Sequence, residues 1–275
     1  MAGPGVSLKT TGFILLLLFL LSTVFPFYWM FVASVREEGS IISNPGDLFP
    51  SEITFRNYVD CLKSGPFGRY IVNSVWVAVW VVLGNVILAT MAGYAIARKR
   101  FMGKRIVLAT VLGTLMIPKQ ITMIPVYILM SKLRMIDTYS ALILPFLVDA
   151  FSVFFISQYV NSLPEELEEA ARVDGASDYG IFFRVVFPLL KPALGIVAIN
   201  SFLVNWNSFI YPLILTNSEN MRTLPVGLAL YSQGEHAVDW GHLMAGSTIS
   251  ALPVFLVFLA FQRQIIAGMI EGYGR

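Results

Sequence analysis

Charge is what this sequence has least of. Only 13% of its 275 residues are Asp, Glu, Lys or Arg, about half the share of an ordinary soluble domain. A water-soluble fold of this length needs a charged surface, so a soluble enzyme or carrier is excluded. The net charge of +2 gives no footing for nucleic acid. Cysteine is reduced to Cys61, which rules out an internal disulfide and leaves the redox compartment open. It reads as an incidental external thiol. The two histidines, His236 and His242, both lie outside the long apolar runs. A membrane-embedded enzyme wants His, Asp or Glu facing one another at depth, and the spans hold no histidine. His236 and His242 stand near Glu235 and Asp239, but their spacing matches no metal-ligand pattern. No G-x-x-x-x-G-K-[ST] phosphate loop occurs, so any ATP hydrolysis belongs to another polypeptide. No repeat is visible either, which argues against a secondary transporter.

What fills the space is apolar sequence, 56% of the chain. A helix needs about 20 such residues to cross the hydrocarbon core. Six stretches qualify, predicting an all-α membrane protein in one transmembrane domain over 1–275. The spans are expected at about 12–33, 71–97, 106–130, 138–160, 193–215 and 243–262. The first exceeds a signal-peptide core in length. Five positive charges in the eight residues Arg98–Arg105 mark a cytoplasmic loop, which puts both termini and the segment 161–192 in the cytoplasm. Lys132 and Arg134 then fall outside, against the trend.

The segment 161–192 carries the most local information. Ser162 with Glu165 predicts a capping box, with Pro164 in the first turn. Glu165, Glu166, Glu168 and Glu169 follow near the positive helix end. As a charge pattern they read as a solvated face, and adjacent surface glutamates do not make an acid–base site. Gly175 suits a left-handed helix end after Asp174. Ser177 predicts a second cap, and Pro188 the close of the second helix.

Glu169-Ala170-Ala171, then Gly175, then Val185-Val186-Phe187-Pro188, resembles the EAA loop of bacterial ABC-importer permeases. Phe187 departs from the aliphatic-x-Leu-Pro ending usual there. The resemblance extends over nearly the whole chain. It takes in Asn73-Ser74, Gly93-Tyr94-Ala95-Ile96-Ala97-Arg98, Asp137-Thr138-Tyr139 and Ala141-Leu142-Ile143-Leu144-Pro145. Beyond these it includes Trp206-Asn207, Leu224-Pro225-Val226-Gly227 and Phe261-Gln262-Arg263 with Gly268. Together they look like the carbohydrate-uptake branch, which includes the smaller maltose-transporter permease subunit. The resemblance implies a type I ABC-importer permease with six transmembrane helices in a prokaryotic cell membrane. Its implied partners are a homologous permease, two copies of an ATP-binding subunit and an extracytoplasmic solute-binding protein. It implies no cofactor on this chain, with ATP and Mg held by the partner ATPase. Residue by residue, Glu169, Ala170, Ala171, Asp174 and Gly175 become the docking positions of a coupling helix. The implied cargo is a sugar or oligosaccharide; glycerol-3-phosphate is the alternative, since permeases for it resemble this branch.

Two full charges fall deep within the expected spans, Lys119 and Asp149. Each costs roughly 2.5–3.5 kcal/mol on insertion scales without a partner or water. Counting residues from the span ends brings both near mid-depth, so an ion pair, a substrate contact and a wet cavity are all open readings. Pro118 and Pro125 are expected to disrupt the third span. The fifth span divides by face. Ile199, Phe202, Leu203, Trp206, Phe209, Ile210, Leu213 and Ile214 lie on one side, and Asn200, Ser201, Val204, Asn205, Asn207, Ser208, Tyr211 and Pro212 on the other. Asn200, Asn205 and Asn207 are candidates for an interhelical polar network or for the translocation path.

Overall fold

The computed structural model describes residues 8–37, 41, 46–50, 52–63, 65–231 and 239–273, with side chains from 10 to 262 among them. Helices supply the regular structure, and there is no strand among the described residues. Among the described residues, four helices are long and apolar enough to cross a membrane: Thr10–Ser34, Phe67–Arg98, Tyr139–Asn161 and Trp240–Gln262. Two bent pairs bring the number to six if each is one span. Contacts divide the chain into two units, Met1–Phe67 with Leu228–Leu252, and Gly68–Gly227 with Pro253–Arg275.

The first unit contains α1 (Leu8–Ser34) and α2 (Arg56–Lys63). Phe13 to Leu21 of α1 are exposed apolar side chains, as suits a surface against lipid. The α1 end is tied down by polar contacts. Asn57 donates from Nδ2 to the carbonyls of Ser34 (2.9 Å) and Arg36 (2.7 Å), satisfying acceptors that a helix end leaves open. Gly241 packs so closely on Asn57 that a Cβ would lie 2.8 Å from its amide nitrogen. Cys61 is buried here, and burial, with the nearby Asp239 carboxylate, pushes its thiol up to about 11. His242 contacts Asp239 and lies 4.0 Å from Asp60, while Glu235 and His236 are outside the described residues.

In the second unit, α3 (Phe67–Gly84) passes through a π-helical turn, Asn85–Ala89, into α4 (Thr90–Arg98). A tight turn with Gly103 in the left-handed region leads to α5 (Lys104–Met116). The expected third span is not one straight helix. A 3₁₀ turn, Lys119–Thr122, and α6 (Met123–Lys132) follow a break at Ile117-Pro118, and the two halves meet at 102°. Pro118 lacks an N–H and ends the helix, whereas Pro125 lies in the first turn of α6, where no N–H is needed.

The fourth expected span runs as α7 (Tyr139–Ile143), a 3₁₀ turn at Leu144–Phe146, and α8 (Ala150–Asn161). Then come α9 (Glu166–Val173) and α10 (Asp178–Ile181), which continues through a π turn at Phe182–Val186 into α11 (Phe187–Leu189). The stretch Asp178–Leu189 meets α12 (Lys191–Trp206) at 79°. Pro188 therefore sits inside the run rather than closing it. The expected fifth span is interrupted after Trp206 and resumes as α13 (Ile210–Leu215). Pro212 cannot donate to residue 208, so the break falls before it. Next come a 3₁₀ turn at Glu219–Met221, α14 (Leu224–Tyr231) and α15 (Trp240–Tyr273).

The main core of this unit joins α4, α8, α10 and α12 through Tyr94, Ile156, Val160, Ile181, Leu190, Ala193 and Val197. Gly93 lets α4 and α8 cross closely: a Cβ there would stand 2.8 Å from both Ile156 Cγ2 and the Val153 carbonyl.

Motifs that carry no evident chemistry interlock elsewhere in the unit. Asn73 donates to the carbonyls of Asn220 (2.8 Å) and Arg222 (2.9 Å) and accepts from the Tyr139 hydroxyl (2.6 Å). Ser74 Oγ accepts from the Leu224 N–H at 2.8 Å. Asp137, at φ 64, accepts from the N–H groups of Asn217 and Ser218, both at 2.9 Å. Burial opposes ionisation of Asp137, but those backbone donors prevail and hold its carboxyl below the usual range.

Candidate functional site: a central cavity and a helical loop

A cavity of about 800 Å³ opens within the second unit. Its walls come from the places where helices break. Lys119 follows the Pro118 break, and Asp149 is the N-cap of α8, accepting from the Ser152 N–H at 3.3 Å. Lys119 Nζ lies 3.7 Å from Asp149 Oδ1; the ammonium is 63% exposed and the carboxylate 27%. Asn200, Asn205 and Asn207 line the same cavity, so all five polar positions singled out at membrane depth meet there.

The cavity holds more than the sequence pattern offered. Asn85, Thr114, Gln120 and Thr122 add polar groups, Tyr211 joins them from the polar side of the fifth span, and Phe146, Phe151 and Phe209 add aromatic faces. Tyr211 donates to the Lys119 carbonyl at 2.7 Å and shares a 2.7 Å contact with the Thr122 hydroxyl. The Thr122 hydroxyl also lies 2.8 Å from that carbonyl, so Lys119, Thr122 and Tyr211 form a small polar cluster beside the break. Phe209 and Ile210 correct the two-face division of the fifth span. Periodicity puts them on its apolar side, but the interruption at 207–209 re-aims the chain and both line the cavity. Val204, on the polar side of that division, lines it too.

The loop over 161–192 forms two short helices meeting at Gly175, which has φ +85 as its position suggested. Ser177 caps α10, accepting from the Gly180 N–H at 3.2 Å. The capping box does not form. Ser162 ends α8 and turns its hydroxyl back to the Tyr159 carbonyl at 2.7 Å, which also takes its N–H at 3.1 Å.

The four glutamates also separate. Glu165, Glu166 and Glu169 are exposed, but Glu168 is buried, which corrects the reading of a uniformly solvated face. Its carboxylate accepts from Arg98 Nε and from the Tyr94 hydroxyl, both at 2.8 Å. Arg98 also donates to Glu165 (2.8 Å) and to the Leu163 carbonyl (2.5 Å). On the second limb, Lys99 meets Asp178 at 2.5 Å and holds that carboxyl below its usual range. Sequence spacing alone does not single out Glu168, because its partners lie 70 and 74 residues away.

Of the expected docking positions, Glu169, Ala170, Asp174 and Gly175 are exposed. Ala171 is half-buried against the chain's own core, so Ala170 is the outward alanine. Leu167, Val173, Tyr179 and Phe183 are exposed around them, an apolar surface edged with carboxylates. Among the described residues, no group of three or more His, Cys, Asp or Glu could hold a metal ion.

The chain is similar in sequence and fold to known proteins. Residues 85–271 match the family model described as "Binding-protein-dependent transport system inner membrane component". The arabinooligosaccharides transport system permease protein AraQ of Halalkalibacterium halodurans is 38% identical over 252 residues, 90% of each chain. The trehalose/maltose transport system permease protein MalG of Thermococcus litoralis is 35% identical over 255 residues, again 90% of each. The sn-glycerol-3-phosphate transport system permease protein UgpE of Pectobacterium atrosepticum is 31% identical, covering 94% of each. In fold, the chain is similar to one from a bacterial ABC transporter involved in the import of the acidic polysaccharide alginate. That match has a TM-score of 0.82 at 24% identity, covering 95% of this chain and 99% of the other.

Proposed function

The chain belongs to the family of binding-protein-dependent transport system inner membrane components, and we propose that it is the permease subunit that conducts a neutral sugar or oligosaccharide in an ATP-driven importer. The observation that carries this reading is the cavity, where polar side chains and unwound backbone gather at three helix breaks. A permeant with many hydroxyl groups suits such walls: asparagine, threonine and glutamine supply donors and acceptors, and Phe146, Phe151 and Phe209 supply apolar ring faces. Two relatives, named for arabinooligosaccharides and for trehalose and maltose, favour the same class. Glycerol-3-phosphate, the cargo named for another relative, fits less well. Lys119 is already matched by Asp149, and no other lysine or arginine is among the lining residues.

In this reading the bent pair Lys104–Lys132 is one span and α12 with α13 another, giving six with the four long helices, with both termini and the 161–192 loop in the cytoplasm of a prokaryote. The chain pairs with a homologous permease, two ATP-binding subunits and an extracytoplasmic solute-binding protein. The partner ATPases bind ATP and Mg and are engaged by the loop face carrying Glu169, Ala170, Asp174 and Gly175. Substrate is moved, not chemically changed, as the spans alternate between inward- and outward-facing states.

The test is co-purification of the ATPase with loop variants. Ala170→Trp places a large ring on the outward face and should release the ATPase. Gly175→Val, at φ +85, should do the same by straining the bend. Glu169→Ala should weaken retention, since a charged hydrogen bond contributes about 1.5–3 kcal/mol. Wild-type retention by all three would refute docking through this loop.

A further inference from the structure

One helix reaches both the loop and the cavity, and is fastened at each by buried polar contacts. We propose that the segment Phe67–Arg98 is the lever carrying movement of the loop to the cavity, with Arg98 and Asn85 as its positioning residues. This rests on the permease reading above.

At the loop end the fastening is unusually complete. Arg98 uses Nε, Nη1 and Nη2 on three separate acceptors of the first limb: Glu168, Glu165 and the Leu163 carbonyl. Its side chain is 8% exposed and that of Glu168 10%. The second oxygen of Glu168 takes the Tyr94 hydroxyl, one turn back on the same helix. Lys99 takes the other limb through Asp178. A fork of donors on fixed acceptors sets orientation as well as distance, so the loop cannot tilt on this helix end without breaking several charged hydrogen bonds together. Stability alone is a weak reason for such a network, because apolar replacements of buried ion pairs are often as stable.

At the cavity end, Asn85 is 1% exposed and sits in the π turn. It donates to the Phe146 carbonyl at 2.9 Å and accepts from the Asp149 N–H at 2.8 Å. Both partners belong to the break whose Asp149 carboxylate faces Lys119 across the cavity. Thirteen residues separate Asn85 from Arg98, about 20 Å of helix. Between them, the close crossing at Gly93 presses the helix against α8. The path from loop to cavity is therefore one continuous element of packed, hydrogen-bonded structure. A π turn inserted at the cavity end is where such helices often carry function.

The experiment uses the full complex in proteoliposomes, with Val204→Cys as a single reporter in the cavity wall and Cys61 replaced by Ala. The maleimide-labelling rate is compared with and without ATP plus vanadate. In the parent complex the two rates should differ by about fivefold or more, the scale of an ordinary coupling energy. Arg98→Ala and Asn85→Ala should each bring the ratio near one while the ATPase stays bound and hydrolyses ATP. Arg98→Lys, which keeps a charge opposite Glu168, should recover part of the response. Should Arg98→Ala fail to assemble, Asn85→Ala decides, because it leaves the loop untouched. A parent-like ratio in an assembled Arg98→Ala or Asn85→Ala complex overturns the lever. Loss of the ATPase from the parent complex, or no ATP response there, instead overturns the permease reading itself.

Discussion

Asn73 is fully buried, and three groups depend on its amide. Replacing it with Ala strands the carbonyls of Asn220 and Arg222 and the hydroxyl of Tyr139. Each lost contact is worth roughly 0.6–1.5 kcal/mol in this kind of setting, so Asn73→Ala should cost about 2–4 kcal/mol in all. Tyr139→Phe removes only one of the three and should cost about 1 kcal/mol. The double variant tests the geometry more sharply than either single one. Once Asn73 is gone, the hydroxyl has no amide to serve, so the two losses should fall short of additivity by about 0.6–1 kcal/mol. Unfolding free energies from reversible SDS titration in mixed micelles would measure all three. If Asn73→Ala costs less than about 0.5 kcal/mol, the value of an ordinary surface change, the reasoning fails. Strict additivity would show that Tyr139 and Asn73 do not work as a pair.

Gly93→Val should destabilise by about 1–3 kcal/mol, because its Cβ meets a backbone carbonyl that cannot swing aside. Gly113→Val, with nothing within 4 Å of the added carbon, is the control, and equal costs in the same titration would refute the close crossing. Cys61, with its thiol pushed up to about 11, should resist maleimide at neutral pH until the chain is unfolded. Labelling as fast in the native protein as in the unfolded one would contradict its burial. Asp178 carries a depressed pKa in the folded chain, so its contribution is present above the unfolded value near 3.8 and fades as pH falls through the lower folded value. The advantage of wild type over Asp178→Asn should accordingly be seen at neutral pH and vanish in strong acid, as followed by thermal unfolding across pH.

How much of this was legible beforehand depends on the range of the interaction. Apolar runs are local, and the expected spans at about 12–33, 71–97, 138–160 and 243–262 coincide with single helices long enough to cross, the third with a bent pair, while the fifth overlaps only the second half of the other bent pair. Pro118 was readable as a disruption, but nothing along the chain specifies a 102° turn, which packing decides. Gly175 was readable because a left-handed residue is a property of the residue itself. Among Glu165, Glu166, Glu168 and Glu169 the sequence offers four similar carboxylates. The one that matters most inside the molecule is chosen by Arg98 and Tyr94, which present a pair at i and i+4 on a helix far back in the chain. An arginine closing a long apolar helix is the signal available along the chain. The cavity shows the same limit. Lys119 and Asp149 stand out because charge is costly at depth, an energetic question a sequence can answer, and Asn200, Asn205 and Asn207 stand out as the polar side of an apolar helix. Phe209 and Ile210 were missed because helical periodicity assumes an unbroken helix, and it is the break that turns them inward. Functional geometry in this protein is concentrated at departures from regular helix, so the periodic reading that locates the spans is least informative where their chemistry resides.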